Sequence, residues 1–331
     1  MQMIPFGKVT DYTVSRMGLG CMSMSGCYGP QDDDECIATI HRAMELGVNF
    51  LDTSYSYGEG HNQTLIGKAI RGRRDQVVIH SKSGAPPPKD ETDTNRGAGG
   101  EKYLRMICEE SLKRLEIDCL DILCMSRVDR EVPIEESVGT MARMVEEGKT
   151  RYIALSEASP ESMARAWTVH PIASLQFELS VFSRDPLEHG NLDFVREKGM
   201  GFMAYSPLGR GILSGQIRGP GDVPEGDTRF NYPRFSGENM THNAKILAAL
   251  EEIAAEKGIS LPCLAIAWVL HQGDDIVPIP SSKSRDHLED NLKALEVELT
   301  AEDLARIDEA CPPGAVAGTR YPERMMSRMN V

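Results

Sequence analysis

No block of lysine and arginine interrupts this chain, and its formal charge of −14 opposes binding to phosphate backbones or anionic membrane surfaces. Nucleic acid is therefore not expected as a partner. No apolar run approaches the roughly 18 residues of a membrane span, and Met1-Gln2-Met3-Ile4-Pro5-Phe6 lacks the basic and apolar regions of a secretory signal, so no membrane association and a cytoplasmic location are expected. The eight cysteines lie far apart with neither a CxxC pair nor a Cys/His metal spacing; reduced, mostly buried thiols and no metal site are expected. No Walker-type loop occurs. The nearest approach to a dinucleotide fingerprint, Gly18-Leu19-Gly20-Cys21-Met22-Ser23, lacks the third glycine and runs on without an immediate helix, which argues against an open doubly wound sheet.

What is present is alternation. Eight short apolar runs read as strands: Met17 to Cys21, Val48 to Leu51, Val77 to Ser81, Leu120 to Met125, Tyr152 to Leu155, Ser174 to Leu175, Gly201 to Ala204 and Ile276 to Ile279. Amphipathic stretches separate them, among them Glu101 to Leu115 and Pro186 to Lys198, with two extra helices at Pro262 to His271 and Ala301 to Cys311. Ser159-Pro160 and Thr300 supply helix starts. The pattern predicts one α/β domain over residues 1–331, a (β/α)8 TIM barrel with extra helices and long βα loops. Two connections, Ser83 to Gly100 and Leu208 to about Met240, are long enough to wall a pocket, together with the tail after Pro312.

Barrels place their chemistry at the C-terminal strand ends. Those ends carry Asp52, Lys82, Ser126, Ser156, Gln176, Tyr205-Ser206 and Ser281-Ser282-Lys283, and Tyr57 follows five residues after Asp52. A buried lysine and aspartate at a barrel mouth need one another. If they converge on Tyr57, the ammonium is expected to lower the phenol from its reference of about 10 and make it a general acid suited to protonating a carbonyl oxygen.

The stretch Asn49-Phe50-Leu51-Asp52-Thr53-Ser54-Tyr55-Ser56-Tyr57-Gly58 resembles the first signature of the aldo-keto reductases. Gly148 to Ser159, with its Ser156-Glu157-Ala158-Ser159 element, Leu175 to Glu178, Ala204 to Gly211 and Val277 to Asn291 are similar to later family segments, in order. The resemblance implies a barrel that binds NADPH/NADP+ in an extended pose and reduces an aldehyde or ketone, a small-molecule carbonyl substrate. It implies that Asp52, Tyr57 and Lys82 are three of four catalytic residues. Ser156 and Gln176 would hold the carboxamide and Tyr205 would stack on the nicotinamide. Gly20, Cys21, Met22 and Asp52 would line the cofactor, and Ser206, Leu208, Gly209 and Gly211 would border the pyrophosphate. Ser281, Ser282, Lys283, His287, Asp290 and Asn291 would cover the adenosine end, with Lys283 the candidate for the 2′-phosphate and Arg285 the alternative.

The departure is Ser126. Where the family segment usually reads His-Arg-Val-Asp, this chain reads Ser126-Arg127-Val128-Asp129. Losing a donor to the substrate oxygen costs about 2.7–4 kcal/mol in other oxyanion sites. The sequence thus leaves open a slow or specialised reductase, an NADP(H)-binding regulatory subunit, and a cofactor-free barrel isomerase or lyase. It also leaves the oligomeric state open, a homo-oligomer included.

Overall fold

A computed structural model describes residues 1–84, 99–223, 226–326 and 329–330. An antiparallel hairpin, β1 (Met3–Pro5) and β2 (Thr13–Ser15), precedes the barrel. Eight parallel strands follow in sequential order: β3 (Leu19–Gly20), β4 (Phe50–Ser54), β5 (Val78–Lys82), β6 (Leu120–Met125), β7 (Thr150–Ser156), β8 (Ser174–Glu178), β9 (Gly201–Tyr205) and β10 (Ile276–Pro278). The sheet closes because Gly20 bridges Ser281, and the N–H groups of Gly18 and Gly20 donate to the carbonyls of Pro278 and Pro280. The incomplete fingerprint is explained here. A Cβ on Gly20 would lie 2.7 Å from the Ile279 carbonyl oxygen, and one on Gly18 would lie 2.9 Å from the Ile279 side chain, so both glycines serve the seam of the barrel.

The helices are α1 (Asp33–Glu45), α2 (His61–Ile70), α3 (Glu101–Leu115), α4 (Ile134–Glu146), α5 (Pro160–Trp167), α6 (Asp185–Glu188), α7 (Asn191–Lys198), α8 (Gly237–Glu256), α9 (Leu261–His271), α10 (Arg285–Leu292), α11 (Ala301–Ala310) and α12 (Glu323–Met326). Ser159 caps α5 and Thr300 forms a capping box with Asp303 on α11, as their sequences predict. The single helix expected from Pro186 to Lys198 is two, broken at Gly190, whose φ of 75° interrupts the helix. The expected long loop from Leu208 is not structureless: short 3-10 turns occupy Gly209–Ser214, Pro220–Asp222, Thr228–Asn231 and Pro233–Phe235 before α8 begins. Of the other expected wall, residues 85–98 lie outside the described residues.

Apolar side chains pack in two places. One layer lies between strands and helices; the other fills the barrel interior with Phe50, Val78, Ile122, Cys124, Ala154, Met203 and Val277. The hairpin plugs the barrel floor, where Phe6 meets Phe50 edge-on at 4.8 Å. Among the described residues no single helix is long and apolar enough to cross a membrane.

Candidate active site

Side chains two residues apart on a strand share a face, so Asp52 and Ser54 on β4, and His80 and Lys82 on β5, project alike. The register pairs Asp52 with His80 and Ser54 with Lys82. Asp52 is buried and accepts three hydrogen bonds, from Lys82 Nζ at 2.5 Å, Gln176 Nε2 at 2.7 Å and His80 Nδ1 at 3.0 Å. Burial by itself would raise its carboxyl, but the charge of Lys82 and the bonds from His80 and Lys82 outweigh it and hold Asp52 below the ordinary carboxylate range. Lys82 also donates to the Thr53 carbonyl at 2.9 Å and sits 5.0 Å from the centroid of the Tyr57 ring.

Tyr57 opens a tight turn in which Gly58, Glu59 and Gly60 all have positive φ. A Cβ on Gly58 would lie 2.7 Å from that of Ser25, and one on Gly60 would strike the Arg114 guanidinium, so glycine is needed at both for the turn to present Tyr57 to the cavity. Desolvation, reinforced by the Asp52 charge, holds the phenol well above its usual value, against the expectation that Lys82 would lower it. The amine faces the ring at 5.0 Å while Asp52 engages it at 2.5 Å, so its pull on the phenol does not outweigh burial and the Asp52 charge. Tyr57 is consequently a neutral, fully protonated donor.

Ser126 is 8% exposed. Its Oγ accepts the Gly84 N–H at 2.7 Å, which leaves its own hydrogen to donate. Beside it, Arg127 donates to the Ser126 carbonyl at 2.5 Å and to Tyr321 OH at 3.2 Å, with Ser156 Oγ at 3.4 Å.

These groups border one cavity of about 1180 Å³ that runs from Tyr57 and Ser126 past Ser156, Gln176, Tyr205, Ser206, Leu208 and Gly211 to Ser281, Ser282, Lys283, His287, Asp290 and Asn291. Gly20 and Met22 also line it; Cys21 and Gly209 stand back in the wall, the Cys21 thiol turned toward the Leu19 carbonyl at 3.7 Å. At the far end Ser281 bonds Ser23, Asn291 donates to Ser282 Oγ, and Ser260 donates to Asp290. Among the described residues Lys283 donates only to carbonyls, those of Tyr28 at 2.7 Å and Pro30 at 2.6 Å. Burial pushes it below its ordinary value, with Arg229 adding to the effect. Arg285, the alternative anion group, is instead tied to Glu35 at 2.9 Å.

Sequence reasoning missed two features. His80 hid inside an apolar run, although its spacing of two from Lys82 was the available signal. The second is a buried ionic network behind Tyr205. Glu157 accepts from Tyr205 OH at 2.7 Å and from Arg320 at 3.0 and 3.1 Å. Glu178 pairs with Arg210 at 2.6 Å and accepts from Ser183 at 2.8 Å. Burial opposes the charge of Glu178, but Arg210, Arg320 and Arg234 prevail and bring it to about 2. Glu157, Ser206 and Arg210 adopt positive φ without being glycine, the kind of strain that persists only where the surroundings fix it.

The model of the Aldo/keto reductase family matches residues 16–311. A probable aldo-keto reductase 1 of Glycine max is 40% identical over 317 residues, covering 94% of this chain and 89% of the relative. The NADP(+) aldo-keto reductase yakc of Schizosaccharomyces pombe is 39% identical over 325 residues, covering 96% and 95%. Among solved structures, the glycerol dehydrogenase of Gluconobacter oxydans superposes with a TM-score of 0.81 at 27% identity, covering 93% of this chain and 94% of its own. An aldo/keto reductase from Klebsiella pneumoniae, solved with NADP and acetate, superposes with a TM-score of 0.72 at 27% identity, covering 97% and 98%.

Proposed function

The chain belongs to the aldo/keto reductase family, and on that premise we propose that it is an NADPH-dependent oxidoreductase that reduces an aldehyde or ketone to an alcohol. The observation that carries this reading is the buried Lys82–Asp52 pair beneath Tyr57 at one end of an elongated cavity. The residues fit the cofactor: Lys283, at the opposite end, donates to two carbonyls and, among the described residues, to no carboxylate, so its charge is open to a 2′-phosphate. When bound, the nicotinamide supplies hydride to the carbonyl carbon. Tyr57 OH hands its proton to the carbonyl oxygen, and the neighbouring Lys82 charge offsets the phenolate left behind. Asp52 pairs with Lys82 and aims it; His80 and Gln176 keep Asp52 in place. Ser156 and Gln176 face the carboxamide, the Tyr205 ring supports the nicotinamide, and Ser206, Leu208, Gly209 and Gly211 border the pyrophosphate. Gly20, Cys21 and Met22 form the adjacent wall, while Ser281, Ser282, His287, Asp290 and Asn291 enclose the adenosine.

Ser126 favours a second reading, a cofactor-binding regulatory or low-activity subunit, because a hydroxyl already accepting from Gly84 gives the substrate oxygen one short donor. Titrating NADPH while following its fluorescence tests both; no saturable change would remove them together. Turnover across a panel of carbonyl compounds separates them. In Ser126→His, kcat on a simple aldehyde is expected to rise about tenfold or more, whereas an unchanged rate would mean that serine is fitted to its own substrate.

A further inference from the structure

Four guanidiniums, those of Arg127, Arg210, Arg234 and Arg320, crowd the Tyr57 end of the cavity and the network behind it. They face the buried carboxylates Glu157 and Glu178 and the partly exposed Asp185. Three of them reach those carboxylates. Arg127 does not: among the described residues no carboxylate lies within 4.0 Å of it, and its acceptors are a carbonyl and two hydroxyls. Elsewhere along the cavity Lys82 has Asp52 and Arg229 has Asp227, at 2.6 Å, so only Lys283 shares the condition of Arg127 among the buried or half-buried cations of the lining. Lys283 lies at the end where the proposed reading puts a phosphate. Arg127 lies at the end where that reading puts the substrate, one residue after Ser126 and in contact with Ser156.

Glu157 acts on Arg127 only from beyond contact distance, and a half-buried guanidinium with no carboxylate against it is stabilised by an anion that completes it. Nη1 has two acceptors and Nη2 one among the described residues, which leaves the Nε–H and one Nη2–H to donate to an anion. Burial holds the neighbouring phenols of Tyr205 and Tyr57 well above their usual value, so they do not supply that charge. The small side chain of Ser126 leaves room beside the guanidinium that a larger residue would fill.

We propose that Arg127 is a specificity-determining residue and that the substrates preferred by this protein carry a carboxylate in addition to the reacting carbonyl. The inference rests on the reductase reading and names its substrate class. The carboxylate lies in the Arg127 fork, and the carbonyl oxygen is turned toward Tyr57 OH and Ser126 OH.

The test compares 4-carboxybenzaldehyde with 4-carbamoylbenzaldehyde, of nearly the same shape but neutral, as substrates with NADPH. The acid is expected to have a kcat/KM higher by about tenfold or more, the worth of one charge-assisted hydrogen bond, with the difference in KM. In Arg127→Met the ratio should collapse toward one, and Arg127→Lys should restore part of it. A ratio near one in the unmodified protein, or the same ratio in Arg127→Met, would overturn the proposal. If neither aldehyde is turned over, the reductase reading fails separately, and calorimetry with benzoate then judges Arg127: affinity reduced about tenfold in Arg127→Met supports the site, and no binding, or binding indifferent to the substitution, rejects it.

Discussion

The floor and the mouth of the barrel both bury charge, yet they leave it in different states. At the floor, Arg16 donates to the carbonyls of Ile276, Leu270 and Gly273 and has Asp274 as counter-ion at 4.0 Å, and Arg74 pairs with Asp121 at 2.6 Å, which also accepts from Tyr12 OH and the Ile79 N–H. Each group there is met from within the protein. At the mouth, the Lys82–Asp52 pair is equally closed, but Lys283 and Arg127 touch only neutral oxygens. Charge satisfied internally locks a fold, whereas charge left with neutral partners is the part of a site that can recognise an anion.

Breaking the closed pair at the mouth should have the largest effect. Lys82→Met leaves Asp52 buried without its cation, a change that costs about 3–5 kcal/mol of stability, and it removes the charge beside Tyr57, with a loss of carbonyl reduction of about 10²–10⁴. Urea unfolding and single-turnover NADPH consumption measure the two separately. Lys283→Ala removes a group with neutral partners, so the fold should tolerate it while the Kd for NADPH rises about tenfold or more and that for NADH stays put. Equal weakening of both cofactors in fluorescence titrations would place the 2′-phosphate elsewhere.

Arg16→Leu is the converse experiment at the floor: about 1–3 kcal/mol of stability should be lost through orphaned carbonyls, with NADPH affinity retained. The smallest effect concerns pH. Burial keeps His80 below the ordinary imidazole value of 6.5, only partly opposed by Asp52. The unfolded chain therefore takes up a proton where the native chain does not, and stability declines as pH falls below about 6.5. Asp52, lowered from 3.8, adds its own loss only in more acid solution. Thermal unfolding followed between about pH 7 and 5.5 should show the decline, and His80→Gln should make it shallower.

The barrel strands were legible because most are short, largely apolar runs followed by polar residues, as strands buried on both faces require. The hairpin was not, since three-residue strands such as Met3–Pro5 carry too little alternation to register. Asp52, Lys82 and Tyr57 could be placed together because neighbouring parallel strands bring their ends to one rim. The direction of the Tyr57 shift could not, because it depends on how much protein surrounds the phenol, which spacing does not record. That Glu35, 250 positions away, already holds Arg285 was not legible either. The Glu157–Arg320 contact spans 163 positions and links a strand end to a tail that has no periodic pattern.

That contact gives the tail an unusual standing. A chain cut before Arg320 would keep every barrel strand, yet Glu157 would lose its cation to water and Tyr321 would no longer brace Tyr205 at 2.9 Å. Proteolytic trimming at this point would yield a well-folded shell with a slack, unguarded entrance, so the protein could forfeit selectivity long before it forfeits solubility.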